Sequence, residues 1–207
     1  MKHIILFILL IVNINAENFA EDLKFLNSNT VEYWLPLAKS GDTDAQYNLA
    51  DLYYNTSKDE IDFANVIKWF TIAANNKHTS SQVALANLYY NGEGVKKDIK
   101  KAVSLYTKAA TLGKVSAQKH LAFLYKSGRG VKIDYKESLK WYEEAAKKGD
   151  ALSQYNTGQM YFKGKGTKKD LKKAAYWYEE ASNLRIAPAQ NSLGLMYFKG
   201  EGVKQNK

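Results

Sequence analysis

The stretch YYNGEGVKKD, Tyr89 to Asp98, carries two glycines one residue apart, followed by two lysines. Alone, it would suit a backbone cradle for phosphate. Its recurrence decides otherwise. Paired glycines return at Gly128/Gly130, Gly164/Gly166 and Gly200/Gly202, each pair 36 residues after the last. Walker spacing and a preceding strand are both missing, so the stretch is a turn repeated along the chain rather than a single phosphate site.

Working outward, other positions keep the same period. Gln46, Gln82, Gln118, Gln154 and Gln190 are 36 residues apart, as are Tyr53, Tyr89, Tyr125, Tyr161 and Tyr197. Asp62, Asp98, Asp134 and Asp170 follow each turn, and aromatic pairs recur at Trp69–Phe70, Trp141–Tyr142 and Trp177–Tyr178. Each unit closes on small residues such as Ala109–Ala110. The chain is a tandem array.

Each unit predicts two amphipathic helices. The first, such as Ala45 to Tyr54, places Ala45, Leu49, Ala50, Leu52 and Tyr53 on one wide arc. The second, such as Ile99 to Thr111, carries Ala102, Leu105, Tyr106, Ala109 and Ala110 at spacings of three and four. Asp98 precedes it as an N-cap, its carboxylate accepting from otherwise unpaired amides. Gly92 and Gly94 allow the positive φ that ends a helix sharply. The constant glutamines suggest a recurring hydrogen bond between helices.

On these residues the pattern AQYNLADLYY, YNGEGVKKDIKKAVSLYTKAATLG and YKSGRGVKIDYKESLKWYEEAAKKGD resembles the Sel-1-like repeat, a branch of the tetratricopeptide-like superfamily, from about Tyr33 to the C-terminus. The resemblance implies an all-α fold, a right-handed solenoid of antiparallel helix pairs with a 36-residue period, used for protein–protein interaction. Two departures stand out. Thr56 and Lys58 replace the glycines in the first unit, which requires a different turn there. The disulfides that staple cysteine-rich exported members of the family have no counterpart, because the chain contains no cysteine. Zinc–thiolate and thiol chemistry are excluded with them.

Residues 1–16, MKHIILFILLIVNINA, have the layout of a signal peptide: a basic start, an apolar run from Ile4 to Val12, and Ala16 before a cleavage point at Glu17. An uncleaved anchor is the alternative, although the run is short for a bilayer span. The absence of cysteine excludes a lipoprotein anchor. The expectation is an exported protein, periplasmic or secreted, without stable membrane insertion once the signal is removed.

Residues 17–41 form an N-terminal cap segment, with Tyr33, Trp34, Leu37 and Ala38 in register with Trp69, Phe70, Ala73 and Ala74. Pro36 should make the cap helix start near Glu32 or kink. Residues 42–207 hold four full units and a C-terminal half unit. The last first-helix, Ala189 to Phe198, lacks its partner, and Asn206 stands at the N-cap position. Leu193, Met196 and Tyr197 could therefore be left partly uncovered. A truncated gene or fragment, a self-capped end and an end-to-end dimer are the three readings. A monomer with a truncated or short cap is favoured.

The composition offers little chemistry. Only His78 and His120 remain after residue 16, and HExxH and the nucleophile elbow are absent, so no catalytic residue, metal or cofactor is assigned and the chain is not expected to be an enzyme. Some exported relatives have been linked to β-lactam binding or hydrolysis. Ser116–Lys119 (SAQK) and Lys126–Gly128 (KSG) match two motif outlines, but both are ordinary repeat positions. The formal net charge is +9, falling to +8 without Lys2, and it rests on lysine, with Arg129 and Arg185 the only arginines. That argues against nucleic-acid recognition. Lys96, Lys97, Lys132, Lys168 and Lys169 could form a basic edge that binds an anionic envelope polymer.

The functional positions should lie where the copies disagree. Three first-helix columns vary: Tyr47, Val83, Lys119 and Tyr155; Asp51, Asn87, Phe123 and Gln159; and Tyr54, Tyr90, Lys126 and Phe162. They fall on the arc opposite the constant apolar residues. Because first helices line the concave surface in the superfamily, the resemblance implies that these residues face a groove holding a protein or peptide partner. The alternative is that the last column packs against adjacent units.

Overall fold

A computed structural model describes residues 30–55 and 61–204. Residues 1–29, 56–60 and 205–207 lie outside it, and with them the signal peptide, most of the cap segment, Thr56, Lys58 and Asn206. The described residues form α-helices joined by turns, with no strand among them. They divide into two units at His78/Thr79, a boundary between repeats.

The first unit contains α1 (Val31–Lys39), α2 (Thr43–Tyr54) and α3 (Phe63–Asn75). Thr30, Asp42 and Asp62 cap them, accepting from the amides of Tyr33, Ala45 and Asn65 at 3.3, 2.9 and 3.0 Å. Helix α2 begins at Thr43, two residues before the apolar pattern, because the Asp42 cap is itself outside that pattern. Helix α1 starts at Val31 and runs through Pro36, whose carbonyl accepts from the Ser40 amide at 3.0 Å. Ala38, Leu49, Val66, Phe70 and Ala73 are buried, so α1 packs as a second helix would.

The second unit contains α4 (Thr79–Asn91), α5 (Ile99–Thr111), α6 (Val115–Ser127), α7 (Tyr135–Lys147), α8 (Ala151–Lys163), α9 (Leu171–Asn183) and α10 (Ala187–Lys199). These are the helix pairs that the periodicity predicts. Alanines at 102, 109, 122, 145 and 174 are fully buried, and Tyr106, Tyr142 and Tyr178 fill the space between them. Small residues let the backbones approach, while each ring excludes water from a wide gap.

The opening turn is closed in the way its sequence requires. The Asp98 amide donates to the Tyr89 carbonyl at 2.8 Å, and the Asp98 carboxylate accepts from the Lys101 amide at 2.9 Å. The same backbone closure joins Asp134 to Tyr125 and Asp170 to Tyr161 at 3.0 Å. Gly128 and Gly164 end α6 and α8 in the left-handed region, with φ of 70° and 63°. Gly166, the second glycine of its pair, has a further reason. A Cβ at Gly166 would stand 2.2 Å from the Tyr135 carbonyl oxygen, so the chain can pass α7 only without a side chain.

Turns between repeats also need positive φ, which the paired glycines did not announce. Gly41, Lys77, Gly113, Gly149 and Arg185 occupy this column with φ between 62° and 101°. In each, the amide of the next residue donates back across the helix end, as Lys114 does to Ala109 at 3.0 Å.

Helix α10 leaves Leu193 and Tyr197 partly open but covers Met196 and exposes two further residues. Met196 is buried, and Leu193 and Tyr197 are half-buried. Leu195 and Phe198 are the uncovered ones, at 59% and 71% exposure. They belong to the variable columns of Phe123 and Lys126.

Candidate functional site

Four residues of the variable columns, from α4 and α6, line one cavity of about 510 Å³ along α6. Tyr90, Lys119, Phe123 and Lys126 line it, all four from the predicted set. Tyr106 and Tyr142 from the second helices form part of its wall, and His120, Leu124, Leu152 and Asn156 complete it. Periodicity hid the two tyrosines because their column is aromatic in every copy and reads as core. They are core, and they also present ring surface to the cavity. His120 and Asn156 share a column that reads Asn48, Ala84, His120, Asn156 and Ser192, whose variation was a usable signal.

The aromatic wall is held by polar contacts around it. The Tyr106 hydroxyl donates to Asn87 Oδ1, which turns Asn87 toward α5 instead of leaving it free at the surface. The His120 ring stacks on Tyr106 at 5.0 Å and 17°. Burial, and then the Lys119 charge, hold the His120 pKa below the usual histidine value. Arg129 donates to the Tyr90 hydroxyl at 2.8 Å and lies 5.5 Å from the Phe123 ring centre. Tyr90 thus both lines the cavity and contacts the following repeat. Phe123 remains 41% exposed.

The two lysines differ in charge balance. Lys119 Nζ lies 2.9 Å from Asp150 Oδ2, so its charge is countered. Lys126 Nζ donates to the neutral Asn156 Oδ1 at 3.0 Å and lies 5.8 Å from the Tyr142 ring centre. Burial, followed by Lys163 and Lys165, pushes its pKa below the usual lysine value. The cavity therefore joins apolar rings to a cation whose direct partner is an uncharged amide.

Other predicted residues lie elsewhere. Tyr155, Gln159 and Phe162 gather around Tyr178: Gln159 Nε2 donates to the Tyr155 hydroxyl at 2.7 Å, and both rings face Tyr178 at 5.8 and 6.5 Å. In the first unit, Tyr47 packs on Phe70 at 5.7 Å and Tyr54 on Phe63 at 6.5 Å. Asp51 accepts from Asn55 Nδ2 at 2.9 Å, and burial raises its pKa. The lysine edge is exposed at Lys96, Lys97, Lys132, Lys168 and Lys169, with Lys97 and Lys169 leaning over Tyr90 and Phe162.

The serine-enzyme outlines do not assemble. Ser116 and Lys126 are on one helix, ten residues and about 15 Å of rise apart. Lys119 is ion-paired with Asp150. No cluster of three metal-ligating side chains occurs among the described residues, and no described helix is long and apolar enough to cross a membrane.

Residues 43–78, 79–114, 115–150, 151–185 and 187–207 each match the family model of the Sel1 repeat. Among solved structures, a protective antigen of uropathogenic Escherichia coli displaying an SLR fold is similar at 37% identity and a TM-score of 0.80. The match covers 86% of this chain and 38% of that one, so the chain spans well under half of that relative's length. A Sel1 repeat protein from Oxalobacter formigenes is similar at 30% identity and a TM-score of 0.69, with 79% and 67% of the two chains covered. Comparison with curated proteins gave no match.

Proposed function

Because this chain belongs to the Sel1 repeat family, whose members are in general protein–protein interaction scaffolds, we propose that it is an exported adaptor holding a protein or peptide partner at the α6 cavity. One observation carries the reading: four positions where the repeats disagree, Tyr90, Lys119, Phe123 and Lys126, line an aromatic-walled cavity in the second unit. Residues kept only for packing would repeat with the fold, as the buried alanines and glutamines do. Exposed aromatics beside polar groups are the usual anchors of a peptide interface. Export rests on the basic start, the apolar run Ile4–Val12 and Ala16.

Phe123→Ala tests the site, since a half-exposed ring should contribute little to folding. Affinity capture with the mature chain and this variant, compared by mass spectrometry and followed by titration calorimetry on the captured species, should show at least tenfold weaker binding at unchanged melting temperature. An identical partner set at identical affinity would overturn the cavity. Intact mass of the protein recovered from its native host should begin at Glu17; a retained Met1 would overturn cleavage.

A further inference from the structure

We propose that the α6 cavity selects an internal acidic side chain of its partner, with the Asp or Glu carboxylate seated on Lys126 and the methylene stem between Phe123 and Tyr142. The inference deepens the adaptor reading and depends on it. Three observations lead to it.

The first is charge. Of the two cavity lysines, Lys119 is countered by Asp150 at 2.9 Å. Lys126 has the Asn156 amide oxygen at 3.0 Å and no carboxylate within ion-pair distance among the described residues. An ammonium has three donors, so at least one remains for an incoming oxygen. The second is surroundings. The nearby Lys163 and Lys165 are exposed and add positive potential at the same end of the cavity. A carboxylate arriving there relieves repulsion among the three cations and forms a charge-assisted hydrogen bond in a partly desolvated setting. An added cation would be rejected by the same field.

The third is the character of the wall, which separates a side chain from a chain end. Phe123, Leu124, Tyr142 and Leu152 offer ring and aliphatic surface. Asn156 accepts from Lys126 and donates to the Leu152 carbonyl, the Tyr106 hydroxyl donates to Asn87 and the Tyr90 oxygen accepts from Arg129, which leaves the Tyr90 proton, the Tyr142 hydroxyl and the His120 ring. A C-terminal carboxylate would bring its last peptide groups into this space, where few partners are available for them. A Glu side chain brings only methylenes before its charge. The chain's formal charge of +9 favours approach of an acidic segment from a distance.

The experiment uses the mature chain and an immobilised peptide set, Ac-Ala-Leu-X-Leu-Ala-NH2 with X varied over all residues, plus the free acid Ac-Ala-Leu-Leu-Ala-OH. Glu or Asp at X should bind about tenfold or more tightly than Gln or Lys, with the preference shrinking as salt rises. Lys126→Gln should abolish that preference. Lys172→Gln, at an exposed position of α9 outside the cavity lining, should change it less than about threefold; circular dichroism and melting temperature of both variants establish that they are folded. A preference for Glu that persists in Lys126→Gln overturns the proposal, as does tighter binding of the free acid than of the Glu peptide. Binding that favours apolar X and vanishes in Phe123→Ala would overturn the acidic side chain while leaving the adaptor reading intact. Absence of binding by every peptide would overturn both.

Discussion

Gln118 Nε2 donates to the Ala110 carbonyl at 3.1 Å, tying the start of one repeat to the last turn of the repeat before it. Gln46 makes the same bond to Ala38 at 3.1 Å and Gln154 to Ala146 at 3.3 Å. This is the recurring bond that constant glutamines imply, and it runs backward by eight residues.

The bond makes Gln118 sensitive to charge more than to shape. Ala110 also accepts from the Gly113 amide at 2.9 Å, and Gln118 Oε1 has no protein partner. Gln118→Leu should therefore cost no more than about 1 kcal/mol. Gln118→Glu places a buried carboxylate against a carbonyl and should cost about 3 kcal/mol or more at pH 7. Burial raises the folded pKa of that Glu, so the variant's stability is full below the unfolded value of about 4.3 and is lost as pH rises. Urea titrations across pH 3 to 7 read both effects.

Lys77 and Arg185 occupy a left-handed column otherwise filled by glycine, at φ of 65° and 62°. For residues with a Cβ that conformation costs about 1–2 kcal/mol, offset in part by the chain entropy of glycine. Lys77→Gly and Arg185→Gly should each stabilise by about 0.5–1 kcal/mol in thermal denaturation. No gain in either would show that the side chains offset the strain.

Two glycines with positive φ should respond differently to alanine. Gly149 has φ of 84° with open space around its missing side chain, so Gly149→Ala should cost only the conformational term of about 1 kcal/mol. At Gly166 the Tyr135 carbonyl oxygen stands 2.2 Å from where a Cβ would be, and that atom belongs to backbone. Gly166→Ala should cost about 3 kcal/mol or more, with the excess appearing as a faster unfolding rate or failure to fold.

Helix α8 carries Gly158 where α2, α4 and α6 carry Ala50, Ala86 and Ala122. A Cβ there would meet Tyr178 Cδ1 at 2.7 Å, and Tyr178 is buried. The helix preference for alanine is about 1 kcal/mol, whereas overpacking costs about 1–3 kcal/mol. Gly158→Ala should therefore destabilise on balance. Gly194→Ala, in open space on α10, should stabilise by up to about 1 kcal/mol. Differential scanning calorimetry of the two variants checks the opposite signs.

Burial, and then the Asp150 charge, push the Tyr142 pKa up to about 12. The unfolded value is about 10, so the contribution of this group is fully present below pH 10 and lost as pH rises toward 12. Two units correspond to about 2–3 kcal/mol. Burial raises Tyr106, Tyr161 and Tyr178 as well, so absorbance at 295 nm should show a late tyrosine titration whose amplitude falls by one tyrosine in Tyr142→Phe; loss of amplitude near pH 10 instead, with the fold intact, would contradict the burial.

Much of the candidate site was legible as variation between copies. Lys119, Phe123, Lys126 and Tyr90 came from columns where the repeats disagree, and all four line the cavity. Tyr155, Gln159 and Phe162 came from the same columns and gather on Tyr178. Position on a helix wheel gives a direction but not what stands there. Asn87 shows the same limit, because its amide oxygen is taken by the Tyr106 hydroxyl.

The sequence by itself determined the period, the helix pairs, the aspartate caps and the glycine turns. Each depends on residues within a few positions of one another, where side-chain spacing, N-cap bonding and allowed φ act directly. Tertiary structure alone decided that Tyr106 and Tyr142 are both core and cavity wall, that Lys119 has a carboxylate while Lys126 has an amide, and that Gly166 must let Tyr135 pass. Those outcomes join residues some 30 positions apart, and only the packing distance between helices fixes which groups meet.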